Sequence, residues 1–139
     1  MAQTYSQIWI HLVWSTKNRT PVLTKEIRHK LFQHICSEAE RKGYPIDSIN
    51  GLADHIHILI CLNPKFSIST VVKNIKGESS RWLNENEVTE EGFQWQDGFS
   101  AFSVSKTVVP KVRKYIQEQE IKHAKMNFEE EIKLFQRTE

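Results

Sequence analysis

The stretch NGLADHIHILI, residues 50–60, decides the fold. Its second half is a run of aliphatic residues, and its first half carries turn-forming residues, which is the pattern of a β-hairpin. We predict one strand from Pro45 to Leu52 and a second from His55 to Leu62. The tight turn that joins them falls near Asn50-Gly51 or near Ala53-Asp54.

The second of these strands carries two histidines on one face. Residues two apart on a strand point the same way, so His55 and His57 share a face, and the isoleucines that alternate with them share the other. The Cα atoms of such a pair lie roughly 6.5–7 Å apart, which allows two imidazoles to reach one metal ion. The pair by itself is equally compatible with packed or solvated histidines.

Four strands and two long helices follow one another in the order β-α-β-β-α-β. Beyond the hairpin, we predict a strand within residues 5–14, a helix of roughly 18 residues between Thr24 and Gly43, a helix from Ser67 to Leu83, and a strand from Phe99 to Ser105. This order indicates an α+β, ferredoxin-like fold, in which an antiparallel four-stranded sheet carries its helices on one face. The opposite face, with the two histidines, is left open by those helices.

The C-terminal part of the chain predicts further helix. A third helix over residues 108–125 has Thr107 as its cap and Pro110 in its first turn, and a last helical segment follows Asn127. Tyr115 and Gln119 lie one turn apart at the edge of the third helix's apolar stripe. Read alone, the tyrosine is a core-edge aromatic and the glutamine a solvated residue.

The composition is typical of a globular protein. The chain has 139 residues, of which 39% are hydrophobic and 26% charged, and we predict a single domain over residues 1–139. No apolar run approaches the ~20 residues that a membrane helix needs, and the N-terminus does not have the pattern of a signal peptide. Cys36 and Cys61 have no metal-like spacing, so we expect reduced thiols and a cytoplasmic protein.

These motifs together resemble a known family. His55-Ile56-His57 resembles the His-hydrophobic-His metal motif of HUH endonucleases, and Tyr115 to Gln119 resembles the Y-x-x-x-Q segment of single-tyrosine transposases. The resemblance is to insertion-sequence transposases and their REP-associated relatives. It covers nearly the whole chain, through IHLVWSTKNR, DHIHILI, KGESSRWL and QDGFSAFSVS, and the tail HAKMNFEEEIKLF is similar to the extension of REP-associated members. Rolling-circle initiators usually place a lysine near the tyrosine, where this chain has Gln119.

The resemblance implies a mechanism. Tyr115 would attack a phosphodiester of single-stranded DNA and form a 5′-phosphotyrosine link. His55, His57 and the amide oxygen of Gln119 would hold one divalent ion, Mg²⁺ or Mn²⁺ in the family, which acts as a Lewis acid. The implied substrate is hairpin-forming DNA, recognised by a homodimer. In some members the tyrosine helix of one subunit completes the site of the other.

Supporting roles can be assigned to further residues. Candidate phosphate contacts are His11, Lys73, Lys76, Arg81, Arg113 and Lys114. Packing within the strand is the alternative for His11, and solvated helix faces are the alternative for the basic residues. Asp54 is a candidate to orient a histidine, or belongs to the turn. His123 is an alternative ligand or a solvated residue, and Trp9 and Trp95 are candidates for stacking on unpaired bases.

Two other functions stay open. The first is a non-catalytic, single-stranded nucleic-acid-binding module of the same fold, although the closely spaced strand aromatics of RNA-recognition modules are absent from DHIHILI. The second is a metal-dependent phosphoester hydrolase in which Tyr115 is structural. A histidine-triad hydrolase is disfavoured because the third alternating position is Leu59.

Overall fold

The computed structural model describes residues 3–122 and 126–137 of the chain. Its centre is an antiparallel sheet with the strand order β2-β3-β1-β4. The strands are β1 (Trp9–Ser15), β2 (Ile46–Leu52), β3 (His55–Cys61) and β4 (Ser100–Val104). This order is that of the split βαβ arrangement, so the prediction of a ferredoxin-like α+β fold is confirmed.

Five α-helices accompany the sheet in the described part of the chain. They are α1 (Lys25–Lys42), α2 (Ile68–Glu85), α3 (Val109–Gln117), α4 (Gln119–Lys122) and α5 (Phe128–Arg137), with short 3₁₀ turns at Lys17–Arg19 and Lys106–Val108. None of the helices in the described ranges is long and apolar enough to cross a membrane. The single-domain organisation predicted for residues 1–139 stays a prediction.

The helix ends follow the capping residues in α1 and α2. The Thr24 hydroxyl accepts a hydrogen bond from the Ile27 amide, and Gly43 ends α1 in the left-handed conformation at φ 93°. The Ser67 hydroxyl caps α2 by accepting from the Thr70 amide at 3.0 Å. Thr107 was expected to cap α3, and that prediction is wrong, because it lies within the 3₁₀ turn that precedes the helix.

The main hydrophobic core lies between one face of the sheet and the helices α1 and α2. The central strands supply its floor with alternate side chains, which are Ile10, Leu12, Trp14, Ile56, Ile58 and Ile60. Trp95 belongs to this core, is only 7% exposed and donates from Nε1 to the Ser79 hydroxyl at 2.9 Å. It is therefore a packing residue and not a free platform for bases.

The other face of the sheet is covered in part by α3. Leu59 of β3 packs there against Val109, Val112 and Ile116, which form the apolar stripe of α3. The sequence suggested an open face beside the histidines, but burial of this stripe brings α3 down onto it. The first helices and α3 therefore lie on opposite faces, and the histidine-bearing face becomes the floor of a covered site.

The turn between β2 and β3 falls at Ala53-Asp54, so Asn50 and Gly51 lie inside β2. Gly51 is required there by the neighbouring strand. A Cβ at this position would collide with the carbonyl oxygen of His55 and would lie 2.8 Å from the Cα of Ile56. Of the two turn positions that the sequence allowed, the structure has the second, and the glycine serves a close approach of backbones.

Candidate active site

Three histidines from the two central strands form the floor of the site. His55 and His57 come from β3 and His11 from β1, and each is 0% exposed. The rings of His11 and His57 stack with centroids 5.0 Å apart, and the rings of His55 and His57 meet at 5.1 Å. β1 and β3 are each hydrogen-bonded to a strand on both sides. This pairing fixes the backbone positions from which the three histidine side chains extend.

His55 is oriented by the residue before it. Its Nδ1 lies 2.7 Å from Oδ1 of Asp54, and its Nε2 lies 3.2 Å from Oε1 of Gln119. Burial lowers the pKa of His55, but the hydrogen bonds to Asp54 and Glu131 outweigh burial and leave that pKa raised. Asp54 therefore has the position expected of a residue that orients a metal-ligating histidine.

His57 is held between two partners. Its Nδ1 lies 2.8 Å from Nε2 of His11, and its Nε2 lies 2.9 Å from Oε1 of Glu131. Burial and the neighbouring His57 lower the pKa of His11 to about 3, so the His11 ring is neutral, with one N–H group and one nitrogen that can accept. His11 was a candidate DNA contact, but the structure places it beneath His57, where it supports that ring.

Glu131 of α5 joins the site, and sequence reasoning did not find it. The carboxylate is 0% exposed, and its Oε1 lies 3.3 Å from Nε2 of His55. Its Oε2 accepts from Nε2 of Gln119 at 2.9 Å and from the Tyr115 hydroxyl. The ligand atoms of His55, His57 and Glu131 all lie within 4.8 Å of one another, close enough to hold one metal ion.

A sequence signal for Glu131 exists. It lies three residues after Phe128 and four before Phe135, so a carboxylate interrupts the apolar stripe of α5. The two phenylalanine rings pack against the histidines, Phe128 on His55 at 4.8 Å and Phe135 on His11 at 4.5 Å. An acidic residue on the buried stripe of a helix marks a group that faces other polar groups.

Tyr115 lies beside the histidines of its own chain. Its ring centroid is 5.9 Å from that of His57, and its hydroxyl donates to Glu131. Burial and then the Glu131 carboxylate raise the pKa of this phenol above its usual value of ~10. The predicted tyrosine and the predicted metal-binding pair are thus brought together within one chain.

Gln119 reaches the site from a different helix than expected. The third helix was expected to run unbroken over residues 108–125, but α3 ends at Gln117. Glu118 leaves the helical region with φ −101° and ψ 25°, and the short α4 begins at Gln119. The Gln119 side chain is 0% exposed and faces the site. His123 lies outside the described residues.

A cleft of about 700 Å³ opens beside Tyr115. Its walls come from β4, α3 and α5 and include Phe102, Lys111, Tyr115 and Leu134. The lining thus combines aromatic rings with one lysine. It is the described cavity that borders the tyrosine.

The candidate phosphate contacts are scattered over the surface. Lys76 donates to the carbonyl oxygens of Gln96 and Gly98 at 2.7 and 2.8 Å. Arg81 pairs with Glu78 and Glu85, and Arg113 pairs with Asp47. Lys73 and Lys114 are exposed. Contacts of these residues with DNA stay a prediction.

The residues present fit a divalent cation. Two imidazole nitrogens, an amide oxygen and a carboxylate oxygen converge, and the carboxylate supplies negative charge inside the protein. Divalent ions of the Mg²⁺ and Mn²⁺ class favour oxygen ligands, and imidazole also serves Mn²⁺ in many sites.

Residues 4–119 match the family model described as "Transposase IS200 like". The chain belongs to this family. The match includes His55, His57, Tyr115 and Gln119 and stops before α5. The predicted membership of the insertion-sequence transposases is therefore confirmed, and with it the prediction that the chain belongs to a family of DNA-cleaving enzymes.

Relatives of this IS200-like transposase support the same conclusion. The chain is 28% identical over 118 residues to the ISDra2 transposase TnpA of Deinococcus radiodurans, which covers 81% of this chain and 84% of that protein. It is 33% identical over 75 residues to the IS200 transposase of Salmonella typhimurium, which covers 54% of this chain and 49% of that protein.

Solved structures share the fold. A crystal structure of a transposase candidate from Deinococcus radiodurans aligns with TM-score 0.67 and 25% identity, covering 86% of this chain and 96% of that one. A REP-associated tyrosine transposase bound to a REP hairpin aligns with TM-score 0.62 and 17% identity, covering 88% of this chain and 74% of that one. At that identity the second likeness shows a shared fold alone.

Proposed function

We propose that the chain cleaves and rejoins single-stranded DNA through a covalent bond to Tyr115. The observation that carries this proposal is the convergence of the Tyr115 hydroxyl and the imidazoles of His55 and His57 on one buried carboxylate, within one chain. A nucleophile and a candidate metal centre thus lie side by side. Membership of a transposase family supplies the substrate class.

The proposed reaction is a transesterification. The phenolic oxygen of Tyr115 forms a bond to phosphorus, and the bond from phosphorus to the 3′-oxygen breaks. The departing 3′-oxygen gains one proton as the phenol loses one, so the products are a 5′-phosphotyrosine and a free 3′-hydroxyl. A different 3′-hydroxyl can later reverse the exchange. The Tyr115 hydroxyl donates to Glu131, which is the acceptor in place for the proton that leaves.

In this proposal His55, His57 and Gln119 hold one Mg²⁺ or Mn²⁺ ion. A bound divalent ion polarises the phosphate and stabilises the departing oxygen. Hydrogen bonds within the chain orient the two histidine ligands. Asp54 contacts Nδ1 of His55, and His11 contacts Nδ1 of His57. The Nε2 atoms of both histidines therefore take no part in these two contacts and face the proposed ion position, as the Gln119 amide does.

The proposed partners are a DNA hairpin and a second copy of the chain. We propose a hairpin-forming DNA, which the hairpin-bound structural relative favours as a substrate shape. We also propose a homodimer, although the tyrosine and the histidines already meet within one chain and do not need a second copy to do so. A protein that works on cellular DNA is proposed to act in the cytoplasm.

Covalent capture tests the proposal. Single-stranded oligonucleotides that span imperfect palindromes beside the gene, labelled at their 3′ ends, are incubated with the full chain and Mn²⁺ or Mg²⁺. A labelled protein band on a denaturing gel is the expected result, because the fragment with the 5′ phosphate carries the label. Binding without an adduct or cleavage on any flank would favour a non-catalytic binding module instead.

Removal of the metal centre is expected to suppress the adduct. Chelation with EDTA, or the variant His57→Ala, should lower the rate of adduct formation by about 10²–10³-fold, since Lewis-acid stabilisation is worth several kcal/mol. The measurement is the time course of adduct formation. His29→Ala is the matched control, because His29 is an exposed histidine on α1. An unchanged rate in His57→Ala would remove His57 from the proposed site.

A further inference from the structure

We propose that Glu131 is itself a ligand of the divalent ion, so that α5 is part of the metal centre. This inference rests on the proposed metal site and extends it to a residue outside the matched family region, which ends at residue 119. The predicted ligand set of His55, His57 and Gln119 is neutral. With Glu131 the set gains a carboxylate and a net negative charge.

The spacing of the polar atoms supports a shared ion. Two ligands held at right angles and ~2.1 Å from one ion lie about 3 Å apart. Oε1 of Glu131 lies 2.9 Å from Nε2 of His57 and 3.3 Å from Nε2 of His55. The same His55 atom lies 3.2 Å from Oε1 of Gln119. These separations are those of hydrogen-bonded pairs in the metal-free chain, and they are also those of neighbouring corners of one coordination shell.

The charge of the site supports the same conclusion. The Glu131 carboxylate is 0% exposed, and its contacts include two imidazoles, an amide and a phenol. Burial of an ionised carboxylate is costly unless charge and hydrogen bonds compensate it. A divalent ion at Oε1 supplies that compensation, and a carboxylate is a better ligand for Mg²⁺ or Mn²⁺ than an imidazole.

The helix that carries Glu131 is docked on both sides of it. Phe128 packs on His55, and Phe135 packs on the rings of His11 and Tyr115, the last at a centroid distance of 5.0 Å. On the outer side of α5, Glu129 pairs with Arg19 at 3.1 Å. The exposed pair adds little to this docking. The packing of the two phenylalanines fixes the rotation of α5 so that Glu131 faces the histidines.

A competing interpretation makes the opposite prediction. In this interpretation α5 is autoinhibitory, and the Glu131 carboxylate occupies the position of a DNA phosphate without binding the metal. Removal of the Glu131 charge would then leave the metal affinity unchanged or raise it. If Glu131 is a ligand, removal of the charge must weaken metal binding. Metal affinity therefore separates the two roles without any measurement of DNA cleavage.

The experiment titrates the metal-free full chain with Mn²⁺ and follows the electron paramagnetic resonance signal of the free aqueous ion. Glu131→Gln keeps the size of the side chain and is expected to raise the dissociation constant by at least about tenfold. Glu131→Asp, which withdraws the carboxylate by one methylene group, is expected to weaken binding as well. Circular dichroism of each variant confirms the helix content before titration.

Two reference variants keep the outcomes distinct. Glu129→Gln removes a charge from the exposed side of the same helix and is expected to bind Mn²⁺ as the parent chain does. His57→Ala tests the proposed metal site itself. Parent-like affinity in Glu131→Gln and Glu131→Asp, with lost affinity in His57→Ala, would overturn the role of Glu131 and leave the proposed function standing. Parent-like affinity in all of them would overturn both.

Discussion

Replacement of Tyr115 by phenylalanine is expected to abolish the covalent adduct with single-stranded DNA and to slow cleavage by about 10⁴-fold or more. The phenolic oxygen is the proposed nucleophile, and a phenylalanine side chain has no atom that can form the same bond. The ring itself stays, and with it the packing against His57 and Phe135. The loss is therefore chemical, and circular dichroism and thermal unfolding should show an intact fold.

The measurement is adduct formation on 3′-labelled oligonucleotides, with Tyr5→Phe as the matched control. Tyr5 is 87% exposed, and its hydroxyl contacts Gln3, so its loss should leave the adduct in place. An adduct that persists in Tyr115→Phe would show that another residue is the nucleophile. Cleavage that persists without any adduct would identify a metal-dependent hydrolase in which Tyr115 is structural.

Replacement of Gly51 by alanine is expected to lower the free energy of unfolding by about 3 kcal/mol or more. The added methyl group would overlap backbone atoms of His55 and Ile56 in β3. Backbone atoms cannot relieve such an overlap by a change of rotamer, as a side chain can. The hairpin must open or shift to accept it. Because His55 begins β3, the same shift would move a proposed metal ligand.

Urea unfolding followed by circular dichroism measures this effect, and Gly77→Ala is the matched control. Gly77 lies in α2, and beyond its chain neighbours and the backbone of its own helix a Cβ there would meet no described atom within 4 Å. Alanine at this position is expected to stabilise the chain by about 0.5–1 kcal/mol, because it restricts the unfolded chain and favours helix. A Gly51→Ala variant within 1 kcal/mol of the parent would show that β2 and β3 separate easily.

Much of the fold could be predicted because its signals are local. The alternation of residues 55–62 defines a strand face, and Thr24 and Ser67 mark helix starts with their own side chains. The position of the turn between β2 and β3 could not be predicted uniquely, because Asn50-Gly51 is itself a common turn-forming pair. The closeness of β3 to Gly51 is a property of the folded hairpin and is not encoded in the pattern of that segment.

The site could be predicted only where a residue type was unusual for its position. His55 and His57 stand out within an apolar strand, and Tyr115 and Gln119 carry a family resemblance. Glu131 was missed because it ends a run of three glutamates that looks like a solvated helix face. Its role depends on which side of α5 meets the sheet, and packing of the two flanking phenylalanines decides that.

The docking of α5 sets how fast parts of the site exchange amide hydrogens with water. An isolated helix shorter than ~12–15 residues is marginal in water, and α5 has 10 residues that are held by side-chain contacts. The ladders of β1 and β3 are paired on both sides and should exchange only on global opening. The histidine floor and the carboxylate above it thus belong to regions of different local stability. Glu131, the proposed proton acceptor, should therefore leave Tyr115 many times for each global opening of the sheet.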